Sequence, residues 1–327
     1  MRNMTKPKPL DGSAGGGAIE SFLAQADAYA GKADVKAATS YYQAALKAAQ
    51  QAVPADPALR ARLEEAVGYV RQTAESYKKA LKSVGHGRTG DRLDHAVQLL
   101  TRERELYLSE PSVFYFPYLA NRQFFERGEF DWAPALEAET PAIKAELEAV
   151  LAEGADFRPY VEDDADRPRR EFHGLHGDAS WTALYLWRDG KPVEENAARF
   201  PRTVAALEKV PMTHIGAKTP SVLFSKLTPG ARIPPHRGML NCRLIGHLPL
   251  IVPDGCWLRV GNETREWEEG RLLIFDDSFE HEAKNGSGET RIVLLFDIWR
   301  PELTADEKAG ISDIFDTIDR FTTISEA

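Results

Sequence analysis

Apolar positions recur at three- and four-residue steps along the first third of the chain and at every second residue along the last third. The first period marks one face of a helix, the second one face of a strand. From about Ala18, the spacing of Ile19, Phe22, Leu23, Ala26 and Ala30 predicts a helix that Gly31 ends. A second helix is expected in V-K-A-A-T-S-Y-Y-Q-A-A-L-K-A-A-Q-Q, with Ala37, Tyr41, Ala44, Leu46 and Ala48 as its contact residues. Two Ala-rich helices around G-K-A-D match one tetratricopeptide-like unit. A third helix, about 58–84, carries Leu59, Leu63, Val67, Val70, Ala74, Tyr77 and Leu81, and the loop 85–90 divides it from a fourth, about 91–109, with Leu93, Ala96, Leu99 and Leu100.

At Pro111 the texture changes. S-V-F-Y-F-P-Y-L reads as extended because Pro117 interrupts any helix. A helix is expected over about 141–151, a surface loop over 157–170, and a strand in W-T-A-L-Y-L-W closed by the turn R-D-G-K at 188–191. A helix interrupted by Pro201 follows over 194–209. From Pro220 onward the pattern is β: S-V-L-F-S-K-L, N-C-R-L-I-G-H-L, C-W-L-R-V, T-R-E-W, R-L-L-I-F and R-I-V-L-L-F-D-I-W, with a helical cap over 304–321. Short strands at this spacing indicate an antiparallel barrel or jelly roll. The expected fold class is α+β in two domains. A Gly-rich tail (1–17) precedes a helical-repeat-like bundle (18–110), and a jelly-roll domain with flanking helices follows (111–327).

At 327 residues, 43% apolar and 28% charged, the composition is that of a soluble globular protein. A net charge of −9 repels phosphate backbones, so nucleic acid is not an expected partner. The start has no apolar core of a secretory signal and the apolar runs are too short to cross a bilayer, so integral membrane association is not expected. The only cysteines, Cys242 and Cys256, do not form a disulfide framework, and a cytoplasmic location follows as the expectation.

Three residues carry candidate chemistry. His236 stands in P-H-R-G-M-L-N, His281 lies 45 positions later in D-D-S-F-E-H-E, and Arg291 follows ten residues after that. Two distant histidines suit iron(II), which also needs open positions, and the usual third ligand is a carboxylate two residues after the first histidine. Gly238 stands there instead, so a structural histidine stays open as the alternative. Strand alternation puts Arg291, Val293, Leu295 and Asp297 on one face and Asn241, Arg243, Ile245 and His247 on one face of another strand. A guanidinium on a buried face needs an anion. Either a bound carboxylate or an acid such as Asp276 or Asp277 would serve Arg291.

P-H-R-G-M-L-N-C-R-L, G-H-L-P-L-I-V-P, G-N-E-T-R-E-W-E-E-G, L-I-F-D-D-S-F-E-H-E and D-I-W-R-P-E-L closely resemble the aspartyl/asparaginyl β-hydroxylase family over about residues 112–305. The resemblance implies a double-stranded β-helix that uses iron(II), 2-oxoglutarate and O2. It implies iron bound by His236 and His281 alone, with glycine in place of the carboxylate. Arg291 with Ser225 would hold the distal carboxylate of 2-oxoglutarate, His247 would lie near its other end, and Arg243 would face the substrate. One position departs from the pattern: the animal members have a second arginine where this chain has Ile245. The implied activity is hydroxylation of the β-carbon of an Asp or Asn side chain in a peptide, protein or amino-acid-derived small molecule. The alternatives are hydroxylation of a lipid acyl chain, or a non-catalytic helical adaptor with a degenerate oxygenase domain. The helical domain is expected to serve as a structural appendage or to bind substrate or a partner.

Overall fold

The computed structural model describes residues 15–51, 56–85, 90–154, 157–161 and 177–325. The expected tail lies mostly outside these residues, and the loop after Gly85 lies outside them too. The chain divides into two compact units, 1–105 and 106–327; the sequence pattern alone puts the division near residue 110.

In the first unit, helices α1 (Gly15–Gly31), α2 (Val35–Gln51), α3 (Pro57–Gly85) and α4 (Gly90–Leu100) follow one another. Their core is built from Ile19, Leu23 and Ala26 of α1, Ala38, Tyr42 and Ala45 of α2, and Leu59, Leu63 and Ala66 of α3. Asp27 ties the three helices, accepting from the Tyr42 hydroxyl at 2.6 Å and from Arg62 at 2.6 Å. The buried stripe of α2 is displaced by one residue from the expected Ala37, Tyr41 and Ala44, because both stripes of this Ala- and Tyr-rich helix are apolar. The α3 stripe is buried only in its first half; Val67 and Tyr77 are exposed. The fourth helix stops at Leu100, short of the expected 109. Arg102 adopts a left-handed backbone (φ 58°), and the Glu103 and Arg104 amides fold back onto the Gln98 carbonyl.

In the second unit the strands are β1 (Phe124–Phe125), β2 (Arg158–Pro159), β3 (Trp181–Arg188), β4 (Lys191–Pro192), β5 (Val222–Leu227), β6 (Arg232–His236), β7 (Arg243–Ile251), β8 (Cys256–Val260), β9 (Glu263–Glu266), β10 (Leu273–Phe275), β11 (His281–Asn285) and β12 (Arg291–Trp299). One sheet runs β1-β10-β7-β12-β5-β3-β2 with β4 beside β3; the other runs β6-β11-β8-β9. All the pairings are antiparallel. This is a jelly roll of two facing sheets, as the pattern predicts.

Alternation along the strands builds two cores. Leu244, Leu248, Leu294, Phe296 and Phe224 face outward against helices α5 (Ala133–Ala138), α6 (Thr140–Ala152) and α8 (Pro201–Leu207), the last set off from α7 (Glu194–Ala197). Ile245, Val293, Leu227 and Phe275 face inward and meet Ile233, Leu258, Val260 and Ala283 of the smaller sheet. Asp189 (φ 52°) and Gly190 (φ 75°) form the expected two-residue turn between β3 and β4. The C-terminal cap is α9 (Ala305–Ser325), begun by a reciprocal box in which Thr304 and Glu307 bond each other's backbone amides. Two expectations change here. Arg158–Pro159 of the presumed 157–170 loop joins the sheet as β2, and residues 162–176 lie outside the described residues. The strands β6 and β11 do not stand out in the sequence pattern, and they carry both histidines.

Candidate active site

The smaller sheet presents the histidines. Strand β6 is an edge strand, so Pro234 and Pro235 cost it no ladder hydrogen bond on its open side. Strand β11 beside it alternates His281, Ala283 and Asn285, all buried, with Glu282 and Lys284, which pair or face outward. The register sets His281 opposite His236, and their ring centroids lie 4.1 Å apart. Each ring meets the backbone carbonyl two residues before it. The Nδ1 of His236 lies 2.8 Å from the Pro234 carbonyl, and the Nδ1 of His281 lies 3.0 Å from the Phe279 carbonyl. A carbonyl only accepts, so each Nδ1 carries the proton. Burial lowers the His281 pKa to about 4, so the ring is neutral at physiological pH.

The larger sheet supplies the facing wall. A cavity of about 240 Å³ lies between the sheets, and His236, His281, Arg291, Ser225, His247 and Arg243 all line it. All six sequence candidates therefore meet at one place. Asn241 does not join the face it was expected to share. It precedes β7 and holds the lead-in segment, accepting from the Phe116 amide at 2.6 Å and donating to its carbonyl at 2.9 Å.

Arg291 is 1% exposed. Its Nη1 donates to the Ser225 carbonyl at 3.1 Å, its guanidinium lies 4.7 Å from the Trp267 ring centroid, and its Nε has no hydrogen-bond partner. Among the described residues no carboxylate pairs with it. Burial pulls its pKa down to about 10, the mark of a cation without a counter-ion. The two acids that could have satisfied it are engaged elsewhere. Asp276 is fully buried against Arg300 at 2.7 Å, and burial raises its pKa to about 6. Asp277 accepts from Nη2 of Arg243 at 3.0 Å.

Ser225 and His247 offer two further polar groups to the cavity. The Ser225 Oγ accepts from Trp181 Nε1 at 3.2 Å, which leaves its hydroxyl proton to give. Trp267 Nε1 donates to Nδ1 of His247 at 3.2 Å, so the neutral ring presents an N–H at Nε2. Burial and the nearby Arg291 hold the His247 pKa well below its ordinary value. Arg243 is different. Nη2 meets Asp277 and Nη1 lies 3.0 Å from Asp297, so two buried acids already claim its charge. Although burial opposes it, these carboxylates raise its pKa.

Asp277 has a larger part in the site than its sequence motif indicates, bonding Arg243 and packing on Gly238. The Gly238 amide donates to the Asp277 carbonyl at 2.7 Å, and a Cβ built on Gly238 would strike the Asp277 carboxylate. An acid four residues before His281 in a D-D-S turn was the available signal. Among the described residues no group of three or more His, Cys, Asp or Glu side chains is placed to hold a metal ion. Cys242 and Cys256 are buried and free.

The family model for aspartyl/asparaginyl beta-hydroxylase matches residues 137–301. The chain is 40% identical over 145 residues to aspartyl/asparaginyl beta-hydroxylase of Mus musculus, covering 44% of this chain and 19% of that protein. It is 37% identical over 186 residues to the ornithine lipid ester-linked acyl 2-hydroxylase of Rhizobium tropici, covering 56% of this chain and 62% of that one. It is 32% identical over 224 residues to the human aspartate beta-hydroxylase domain-containing protein 2, covering 65% of this chain and 58% of that protein. The matches thus span about a fifth to three fifths of these relatives. Among solved structures, a Pseudomonas putida prolyl-4-hydroxylase aligns with a TM-score of 0.29 at 15% identity, covering 51% of this chain and 88% of that one. The motifs that pair His236 with His281 across the sheet fall within the matched stretch, and the chain belongs to the aspartyl/asparaginyl β-hydroxylase family.

Proposed function

We propose that this protein is an iron(II)- and 2-oxoglutarate-dependent dioxygenase that hydroxylates the β-carbon of an Asp or Asn side chain in a peptide, protein or amino-acid-derived substrate. One observation carries the reading: two histidines paired across the smaller sheet, each with Nδ1 on a backbone carbonyl, share a cavity with a buried arginine that has no carboxylate partner among the described residues. The donor set fits the metal, since neutral imidazoles suit iron(II) and two protein ligands leave positions open. When bound, iron(II) with 2-oxoglutarate and O2 supplies an oxidant strong enough for an unactivated C–H bond.

The chain's own residues do the rest. His236 and His281 hold the metal through Nε2 and keep that tautomer because Nδ1 is tied to backbone. Arg291 binds the distal carboxylate of 2-oxoglutarate, and the Ser225 hydroxyl donates a second bond to it. His247 donates from Nε2 to the opposite end. Ile233, Leu258 and Phe275 line the cavity with hydrocarbon, which excludes water and strengthens these polar contacts. Arg243 orders Asp277 and Asp297 along the substrate side.

A second reading is hydroxylation of a lipid acyl chain. Ile245, Leu295 and Met239 make part of the cavity wall apolar, and the Rhizobium tropici relative is named for that activity. No helix among the described residues is long and apolar enough to cross a membrane.

The test is anaerobic addition of iron(II) and 2-oxoglutarate, followed by O2. A weak visible charge-transfer band and release of succinate are expected, and absence of both sinks the reading. A screen of peptides, metabolites and lipids for the gain of one oxygen atom then separates the two substrate classes.

A further inference from the structure

We infer that Lys218 is the substrate-anchoring cation of this cavity, and that it binds an anionic group on the molecule to be hydroxylated. The inference rests on the oxygenase reading above and deepens it. Four cationic side chains line the cavity: Lys218, Arg237, Arg243 and Arg291. Arg243 is held between Asp277 and Asp297. Arg237 pairs at the surface with Glu110 at 2.9 Å. Arg291 sits at the closed end beside Ser225 and Trp267. Lys218 is the remaining cation. It is half-buried, and no carboxylate of a described residue pairs with it.

Formal charge sharpens the point. Arg243 between two acids leaves one negative charge, which Arg291 cancels, while iron(II) and the 2-oxoglutarate dianion cancel each other. Lys218 is then the charge in excess, in a cavity whose walls are largely hydrocarbon. One monoanionic group on the substrate neutralises it, as a side-chain carboxylate does and an amide or alkyl chain does not.

The position is also preorganised. Lys218 closes a turn in which its amide donates to the Ile215 carbonyl at 2.9 Å, and the Ile215 amide bonds the Thr219 hydroxyl at 3.0 Å. The Ala217 amide anchors the turn to α9 through Asp319 at 2.8 Å. Three residues on, Ser221 also lines the cavity and donates its amide to Asp297 at 2.6 Å. A cation carried on a fixed turn pays less ordering entropy on binding than one on a free loop. Lys218 is thus a specificity-determining residue and takes no part in the bond-making step.

The experiment uses the full chain loaded with manganese(II) and saturated with 2-oxoglutarate. It is titrated with N-acetyl-aspartate amide and, separately, with its neutral counterpart N-acetyl-asparagine amide, and followed by ligand NMR line broadening. Wild type is expected to bind the aspartyl compound about tenfold more tightly, the scale of one charge-assisted contact. Lys218→Ala is expected to erase the preference, Lys218→Glu to reverse it, and Lys218→Arg to keep most of it, which also shows that the fold tolerates change at this position. No preference in wild type, or a preference that survives Lys218→Ala, overturns the assignment. Failure of the parent reading is distinct: it shows as no succinate release by wild type with iron(II), 2-oxoglutarate and O2. A protein that consumes 2-oxoglutarate and shows no aspartyl preference loses only the Lys218 assignment.

Discussion

Replacing Arg291 by Met separates a co-substrate clamp from a structural arginine. Burial moves the guanidinium pKa from 12.5 to about 10, which corresponds to about 3 kcal/mol against the charged form at about 1.4 kcal/mol for each tenfold change. Methionine fills much of the same volume without that penalty. It forfeits the bond to the Ser225 carbonyl and the face contact with Trp267, together about 2 kcal/mol. Without ligand, Arg291→Met should therefore be as stable as wild type or about 1 kcal/mol more so. With 2-oxoglutarate at a hundredfold excess over its dissociation constant, wild type should gain about 2.7 kcal/mol. That gain corresponds to about 5–11 °C in Tm for a domain of this size. The variant should gain almost nothing. Thermal unfolding with and without 2-oxoglutarate, in the presence of manganese(II), reads both quantities. A ligand-free loss of more than about 3 kcal/mol, the cost of stripping a buried acid of its partner, would refute the reasoning. So would an undiminished ligand-induced shift.

Three further outcomes follow from the same geometry. Arg243→Leu leaves Asp277 and Asp297 buried without a countercharge and should cost about 3–5 kcal/mol in denaturant unfolding; adding Asp297→Asn should recover part of that loss, and simple additivity would remove the coupling. His281→Ala should abolish iron-dependent succinate release while leaving the far-UV circular dichroism unchanged, and retained turnover would exclude the ring as a ligand. Asp276 has a folded pKa raised by burial to about 6 from the usual 3.8, so its contribution is full below about pH 4 and is lost as pH rises toward 6. Wild type should lose that increment over this window in unfolding titrations. Asp276→Asn should not, although it is less stable at pH 7 because Arg300 loses its partner.

The period-2 pattern was legible where it mattered most. Alternation alone put Arg291 with Asp297, and Arg243 with Ile245 and His247, on faces that do line the cavity. The two histidine strands were less legible, for a physical reason. Strand β6 contains two prolines, which a central strand would reject and an edge strand admits. Strand β11 is H-E-A-K-N, and its Glu282 is spent on ion pairs with Arg232 and Arg259 of the two neighbouring strands. The partners of Arg243 were out of reach as well. Asp277 and Asp297 are 34 and 54 positions away in sequence, and only the register of β7 against β12 and the turn before β11 brings them together. In α2 the buried stripe missed by one residue because alanine and tyrosine occupy both candidate stripes, and tertiary packing chose between them.

The contact between Gly238 and Asp277 also bears on how such a site can evolve. A carboxylate-bearing residue at position 238 must displace the Asp277 side chain, and that displacement breaks one of the two pairs that neutralise Arg243. A third, carboxylate ligand at this position therefore takes more than the one substitution, because Asp277 and Arg243 must be rearranged with it. The glycine is entrenched by its neighbours.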